Sequence, residues 1–212
     1  MDLIKEDTLA FYKDEHANRS KDKAYGTTGA RNAGDQVFAL IRSLNRPLTV
    51  LDFGAGKQSL GKYVLEMCEV YGLPHKPKWT NYDPAVPGID QLPTKQFDIV
   101  VSSDVLEHIE PDCLDNVIET LDALCARTQF HSIACDPAGL IMPDGRNAHL
   151  ICERLDWWLD KFGVAGQAEE DNRYNMDKNN TGRWSLMRSE EVLVRKRSYL
   201  RRHCVVQLDR RP

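Results

Sequence analysis

The sequence lacks the features that mark membrane-spanning, exported and zinc-binding proteins. Its longest apolar runs are far too short to cross a bilayer, and its first 23 residues contain no apolar core of the signal-peptide kind. The six cysteines are scattered, without a Cys-x-x-Cys pair and without histidines at zinc spacing. These absences predict a cytoplasmic protein with no membrane partner, whose cysteines are small core residues or reduced thiols.

Internal repeats and low-complexity tracts are also absent, and the 212 residues suit a single domain spanning 1–212. Residues 1–29 are polar and end in a glycine-containing stretch, which predicts an N-terminal cap segment made of a helix and a loop. Residues 163–182 are polar and rich in asparagine, so we expect a surface loop there.

The net charge of −4 conceals an uneven distribution. Residues 183–212 carry nine lysines and arginines against three acidic residues, a net charge of +6, which leaves −10 on residues 1–182. This basic C-terminal segment suits contact with the phosphates of a nucleic acid, or packing against the acidic body. Its pattern fits antiparallel strands at a sheet edge as well as a basic helix followed by a strand.

Apolar residues recur with the spacing of alternating strands and helices. The predicted strands are 48–53, 78–82, 97–102 and 130–135, of which the third reads as a strand covered on both faces. The predicted helices have apolar stripes within 37–44, 60–71, 114–124 and 151–162, the third beginning at Pro111. This alternation predicts an α/β fold with a mostly parallel sheet and helices on both faces.

Two glycines follow the first predicted strand, in the stretch VLDFGAGKQSLG. Open parallel sheets bind ligands beyond the carboxyl ends of their strands, where Gly54 and Gly56 allow a close backbone approach. Asp52 just before them would repel a pyrophosphate but suits an amino group. Asp83, after the second strand, can accept both hydroxyls of a ribose. A ligand with a ribose and a cationic amino-acid part fits this description, and S-adenosylmethionine is one.

In three stretches the chain resembles the class I S-adenosylmethionine-dependent methyltransferases. VLDFGAG is similar to that family's first motif, NYDP to its ribose-binding strand end, and FDIVVSSDVLEHI to its fourth strand with the following loop. The resemblance covers roughly residues 30–162. It implies a Rossmann-like, doubly wound fold and an enzyme that converts S-adenosylmethionine to S-adenosylhomocysteine.

The resemblance also implies a set of cofactor-binding residues, in which Asp52 would orient the amino group and Tyr25 would close over the ligand. The expected set is Asp52, Gly54, Ala55, Gly56, Asp83, Pro84, Asp104, Val105, Leu106 and Tyr25. Two departures from the family pattern matter. The third glycine of the turn is replaced, and only 13 residues separate Asp83 from Phe97, so we expect a sheet trimmed between the family's second and fourth strands.

Two classes of methyl acceptor conflict with the sequence. Enzymes that methylate exocyclic amines of DNA bases carry Asp/Asn-Pro-Pro-aromatic where this chain has SSDVLE, and cytosine C5 enzymes need a Pro-Cys pair, which is absent. The expected acceptor is therefore an oxygen or nitrogen of a small polar molecule such as a sugar, nucleotide or metabolite. The predicted catalytic residues are Asp104, His108 and His149, with either histidine as the general base.

Two alternative functions stay open at this stage. The DxxEH stretch with a later histidine is similar to the metal site of the small-RNA 3′-terminal 2′-O-methyltransferases. By that resemblance Asp104, Glu107, His108 and His149 would hold a divalent ion on ribose hydroxyls, and residues 183–212 would contact the RNA. The main expectation involves no metal. The other alternative is a non-catalytic protein that binds S-adenosylmethionine or acts as a scaffold. Nothing in the sequence indicates an oligomeric state.

Overall fold

The computed structural model describes residues 2–19, 21, 28–164, 184–196 and 199–210. Five α-helices and six β-strands lie in this part of the chain. The helices are α1 (Glu6–Asn18), α2 (Thr28–Leu44), α3 (Ser59–Val70), α4 (Leu114–Leu124) and α5 (Leu155–Lys161). The strands are β1 (Thr49–Phe53), β2 (Lys78–Tyr82), β3 (Phe97–Ser103), β4 (Cys125–Ala134), β5 (Trp184–Lys196) and β6 (Tyr199–Arg210). A short 3-10 helix, Leu106–His108, follows β3.

All six strands belong to one sheet, in the order β2-β1-β3-β4-β6-β5. Strands β1 to β4 are parallel, whereas β6 is antiparallel to both of its neighbours, so that β5 runs in the direction of the first four. Five of the six described strands therefore share one direction. This arrangement confirms the prediction of an α/β, Rossmann-like, mostly parallel sheet.

Helices cover both faces of the sheet. Successive residues of a strand point to opposite faces, so neighbouring residues pack against different helices. Val50 packs in a core cluster with apolar residues of α2 and α3, such as Val37 and Val64. Its neighbour Leu51 packs in the other cluster, with α4 and α5. Val50 and Leu51 are both fully buried. The continuous apolar runs read from the sequence thus reflect burial on two faces.

The sheet is trimmed where the sequence predicted it. Between β2 and β3 the described chain forms turns, without a helix or a further strand. Five-residue β2 is therefore the edge strand, and Asp83 stands directly at the end of it. The short connection leaves the ligand side of β1 and β2 accessible to α1, which comes from the N-terminal cap segment.

Three predicted boundaries are wrong. Helix α4 begins at Leu114 and not at Pro111, since the amides of Cys113 and Leu114 donate to the Glu110 carbonyl in a turn (2.8 and 3.1 Å). Strand β4 begins at Cys125, five residues earlier than predicted, because α4 continues directly into it. Helix α5 is shorter than its apolar stripe, and Ile151 precedes it with its amide on the Glu107 carbonyl (3.0 Å).

The C-terminal segment forms antiparallel strands, the first of the two arrangements that the sequence allowed. Strand β6 is buried on both faces: Cys204 and Val206 join one core cluster and Val205 joins the other. Most of the loop predicted over 163–182, and Tyr25, lie outside the described residues. Within the described ranges, every helix is too short or too polar to cross a membrane.

Candidate functional site

A cavity of about 310 Å³ lies at the carboxyl ends of β1 to β4. Strand β6 is antiparallel, so its early residues reach the same edge, where His203 pairs with Ala134 in the sheet register. Helix α1 covers the cavity from the other side. Residues from all these elements line it, including the predicted Asp52, Gly54, Ala55, Gly56, Asp83, Pro84, Asp104, Val105, His108 and His149. These ten predicted residues therefore share one cavity.

The glycine turn after β1 needs glycine at Gly54 for two reasons. Its φ of +76° is in the left-handed region, and a Cβ at this position would lie 2.4 Å from Cγ2 of Val105. The turn is hydrogen-bonded to the neighbouring strand, with the Gly54 and Ala55 amides donating to the Tyr82 carbonyl (2.8 and 3.0 Å). The loop after β3 can approach the turn only because no side chain intervenes.

Asp83 fixes the shape of the turn from the end of β2. Its Oδ2 accepts the Gly56 amide (2.8 Å), and its Oδ1 accepts the Ala85 amide (2.9 Å). Each carboxylate oxygen has a further lone pair, so Asp83 can still accept ligand hydroxyls. The Nε2 of His16, from α1, lies 4.0 Å from Oδ2. Sequence reasoning missed His16, because nothing in the polar N-terminal segment indicates which of its faces meets the sheet.

Asp52 is a buried carboxyl group, with 2% of its surface exposed. Its Oδ2 has no hydrogen-bond partner among the described residues. Burial, followed by the nearby Asp83 carboxylate, raises the pKa of Asp52 to about 7. A buried carboxylate oxygen without a donor is costly, so Oδ2 is well suited to a ligand that brings a cationic N–H group.

Helix α1 is held over the cavity by polar contacts. The buried Glu110 accepts the Thr8 hydroxyl and the Lys5 amide (3.3 Å), and Lys5 Nζ pairs with Asp112 (2.6 Å). Thr8 is the one fully buried residue of the helix. At the next turn the Tyr12 hydroxyl donates to the Ala148 carbonyl (3.0 Å). These contacts hold α1 over the cavity.

Asp104 follows β3 with a φ of +55°, an uncommon conformation for a residue other than glycine. Its Oδ1 lies 2.9 Å from Nε2 of His203, on β6. His203 is 2% exposed and lines the cavity. The sequence interpretation missed His203, because the direction and partner of the last strand could not be read from the basic segment.

Glu107, His108 and His149 bring one possible ligand atom each to within 4.8 Å of one another. The His108 and His149 rings meet edge to face, with their centroids 4.8 Å apart. Burial lowers the pKa of His108, which favours the neutral, ligand-competent form. Burial, together with the nearby Asp104 carboxylate, raises the pKa of Glu107 well above its usual value. The donor set of one carboxylate and two imidazoles suits a divalent transition metal.

Asp104 lines the cavity but is outside the Glu107, His108 and His149 group, which the alternative metal site had joined to it, and it faces His203. Leu106 lies elsewhere than expected: it is fully buried in the core cluster with residues of α4, where its apolar side chain is removed from water. Val105, one residue earlier, does line the cavity.

Comparisons with family models and with curated protein sequences gave no match. Solved structures do match. The 1,6-didemethyltoxoflavin-N1-methyltransferase of Burkholderia thailandensis, with bound S-adenosylhomocysteine, is 16% identical over 96% of this chain and 88% of that chain, with a TM-score of 0.57. The magnesium protoporphyrin IX methyltransferase of Synechocystis PCC 6803, with bound S-adenosylmethionine, is 17% identical over 100% of both chains, with a TM-score of 0.55. The chain therefore has the fold of the class I S-adenosylmethionine-dependent methyltransferases.

Proposed function

We propose that the protein is an S-adenosylmethionine-dependent methyltransferase that acts on an oxygen or nitrogen of a small polar acceptor. One observation carries the proposal: the buried Asp52 carboxyl group, whose Oδ2 has no hydrogen-bond partner among the described residues, stands beside a glycine turn and next to Asp83. Among cofactors of this fold, the ligand must offer a cationic amino group and ribose hydroxyls, and S-adenosylmethionine offers both. Phosphate-bearing cofactors would instead meet two carboxylates.

In this proposal the residues at the sheet edge have different roles in binding the cofactor. Asp52 accepts the amino group of the methionine part, and Asp83 accepts the ribose hydroxyls while it holds the Gly56 amide. The glycine turn admits the ligand next to the backbone, and Val105 packs beside the reacting end. When bound, the cofactor supplies a methyl group on a positively charged sulfur. The remaining residues bind the acceptor and exclude water.

The acceptor side of the cavity is formed by α1, the 3-10 helix and the loop that leads to α5. Leu3 and Ile4 contribute apolar surface, and Tyr12, His108 and His149 contribute polar groups. Because α1 covers the cavity, a small molecule fits it better than a polymer. The matched structures from Burkholderia thailandensis and Synechocystis PCC 6803 are named for small-molecule acceptors, which supports the same class here.

Calorimetric titration with S-adenosylhomocysteine tests the cofactor assignment. We expect binding to the wild-type protein and a loss of at least tenfold in affinity for Asp83→Ala, since a hydrogen bond to a charged group contributes about 1.5–3 kcal/mol. Asp160→Ala, an exposed change on α5, is the matched control and should bind like the wild type. Absence of binding to the wild-type protein would refute the proposal.

Turnover is tested by label transfer. Protein and methyl-labelled S-adenosylmethionine are incubated with a pool of sugars, nucleosides, nucleotides and amino acids, and labelled products are separated by chromatography. We expect label in one compound or a small group of related compounds. Binding of S-adenosylhomocysteine without label transfer to this pool, or to RNA, would favour the non-catalytic alternative.

A second candidate is a metal-assisted RNA ribose 2′-O-methyltransferase. The observation in its favour is the group of Glu107, His108 and His149, whose two imidazoles and one carboxyl group are ligand types that suit Mn²⁺ or a similar ion. The basic segment 183–212 would contact the phosphates. This candidate predicts Mn²⁺-dependent labelling of the 3′-terminal ribose of a short RNA, lost in Glu107→Gln. Labelling of the metabolite pool in the presence of EDTA would exclude it.

A further inference from the structure

The Asp104 and His203 side chains form a pair that the motifs did not indicate. His203 Nε2 lies 2.9 Å from Asp104 Oδ1, and both residues line the cavity. The pair joins the end of β3 to the early part of β6, across β4. His203 is almost completely buried, so its ring has little freedom to turn away.

The other ring nitrogen of His203 distinguishes this histidine. Its Nδ1 is buried and has no hydrogen-bond partner within the described part of the chain. His108 and His149, by contrast, each place Nδ1 on a main-chain carbonyl, Ala148 at 2.7 Å and Asp136 at 2.6 Å. An unsatisfied buried nitrogen costs free energy on the order of 1–3 kcal/mol, so it needs an explanation.

The backbone at Asp104 shows that the pair has a conformational cost as well. A φ of +55° costs about 1–2 kcal/mol for a residue with a Cβ. The turn directs the carboxylate to His203 on β6 and leaves Val105 beside Gly54. Residues in strained backbone conformations of this kind cluster at active sites and ligand-binding sites.

We propose that His203 is the general base of the methyl transfer, with Asp104 as the residue that orients it; this inference rests on the proposed function. With Nε2–H donating to Asp104, the Nδ1 lone pair is unprotonated. Because Nδ1 is buried in the ligand-free protein, it accepts the acceptor's proton only after the bound acceptor has displaced the groups that cover it. The carboxylate then stabilises the positive charge that the ring acquires. An acceptor O–H or N–H on Nδ1 also supplies its missing hydrogen bond.

The transfer balances with no further reactant. The acceptor's oxygen or nitrogen forms the bond to the methyl carbon while the carbon–sulfur bond breaks, and the electron pair of that bond stays on sulfur as S-adenosylhomocysteine forms. The acceptor's proton moves to Nδ1 of His203 and is later released to water. The acceptor atom must therefore carry a hydrogen, which selects hydroxyl groups, primary or secondary amines and ring N–H groups.

The tautomer of His203 is the first test, and it needs no acceptor. Long-range ¹H–¹⁵N spectra of the protein saturated with S-adenosylhomocysteine report which ring nitrogen carries the proton, and the His203 signals are identified by their absence in His203→Gln. We expect an Nε2–H tautomer with an unprotonated Nδ1. Protonated Nδ1 in a neutral ring would overturn the proposal.

Label transfer to the acceptor found in the metabolite pool is the second test. His203→Gln should lose about 100-fold or more of the turnover while its affinity for S-adenosylhomocysteine stays within about threefold, and Asp104→Asn should also lose turnover. Imidazole added to His203→Ala should restore part of the turnover, which a merely structural residue would not allow. His75→Gln, an exposed change, is the matched control.

The outcomes separate the two proposals. Turnover within about threefold of wild type in His203→Gln overturns the base assignment and leaves the methyltransferase proposal standing. Loss of S-adenosylhomocysteine binding in both His203→Gln and Asp104→Asn also overturns it, because the pair would then belong to the cofactor site. A wild-type protein that binds no S-adenosylhomocysteine refutes the proposed function and the base assignment with it.

Discussion

Replacing Asp52 with asparagine should make the free energy of unfolding of the ligand-free protein less dependent on pH. It should also weaken the binding of S-adenosylhomocysteine. The pKa of Asp52 is raised from 3.8 to about 7 by burial, followed by the Asp83 carboxylate. The folded protein therefore holds a proton that the unfolded chain releases. The stability that this proton contributes is present below a pH of about 4 and is lost as the pH rises to the folded-state value of about 7.

The magnitude follows from the size of the shift. A rise of about three pKa units corresponds to about 4 kcal/mol between the acidic limit and full ionisation. Between about pH 6 and about pH 8 the same linkage predicts a loss of about 1.4 kcal/mol in the free energy of unfolding. Asp52→Asn has no ionisable group there, so its stability should lack this component of the pH dependence.

Urea denaturation of the ligand-free wild type and of Asp52→Asn, each at the two pH values, measures the difference. Asp160→Asn, exposed on α5, serves as the control and should follow the wild type. Calorimetry at the higher pH should give Asp52→Asn an affinity for S-adenosylhomocysteine at least about tenfold weaker than that of the wild type. Equal pH dependence in all three proteins, together with unchanged affinity, would refute the reasoning about this carboxyl group.

The other predictions concern backbone geometry and the attachment of α1. Gly54→Ala should lower stability by about 1–3 kcal/mol more than Gly72→Ala in urea denaturation, because both positions have positive φ but only Gly54 is in contact with Val105; equal costs would contradict this. Glu110→Gln should speed amide hydrogen exchange in α1 at least severalfold, whereas Asp112→Asn, an exposed ion pair with Lys5, should change it little. Unchanged exchange in Glu110→Gln would mean that other contacts hold the helix.

The central sheet could be predicted because its sequence signals are local. Continuous apolar runs such as Phe97–Ser102, bounded by turns, indicate buried parallel strands, and the 13 residues after Asp83 are too few for another helix and strand. The residues proposed to bind the cofactor could be identified for the same reason. Asp52, the two glycines and Asp83 each stand at the end of a strand, and parallel strands bring those ends together.

The proposed acceptor side of the cavity could not be predicted in the same way, because it depends on contacts between distant segments. Tyr12 and His16 reach the cavity from a polar helix without an apolar stripe that would show which face is covered. His203 lies about one hundred residues after Asp104, on a strand whose neighbours are fixed only by sheet register. Contacts between segments that are distant in the sequence determine the positions of Tyr12, His16 and His203, and no local sequence pattern indicates such contacts.

The arrangement of the last two strands has a consequence for folding order. Strand β5 touches the rest of the sheet only through β6, and the two strands pair with each other along most of their length, from Trp184 with Arg210 to Lys196 with Tyr199. They can form as a hairpin and then dock as a unit on β4, which is the step that carries His203 to Asp104. A partial opening that undocks the hairpin would separate this pair while the glycine turn, built from β1 and β2, stayed intact. Under mild denaturant the protein should then still retain its proposed cofactor site after His203 has separated from Asp104.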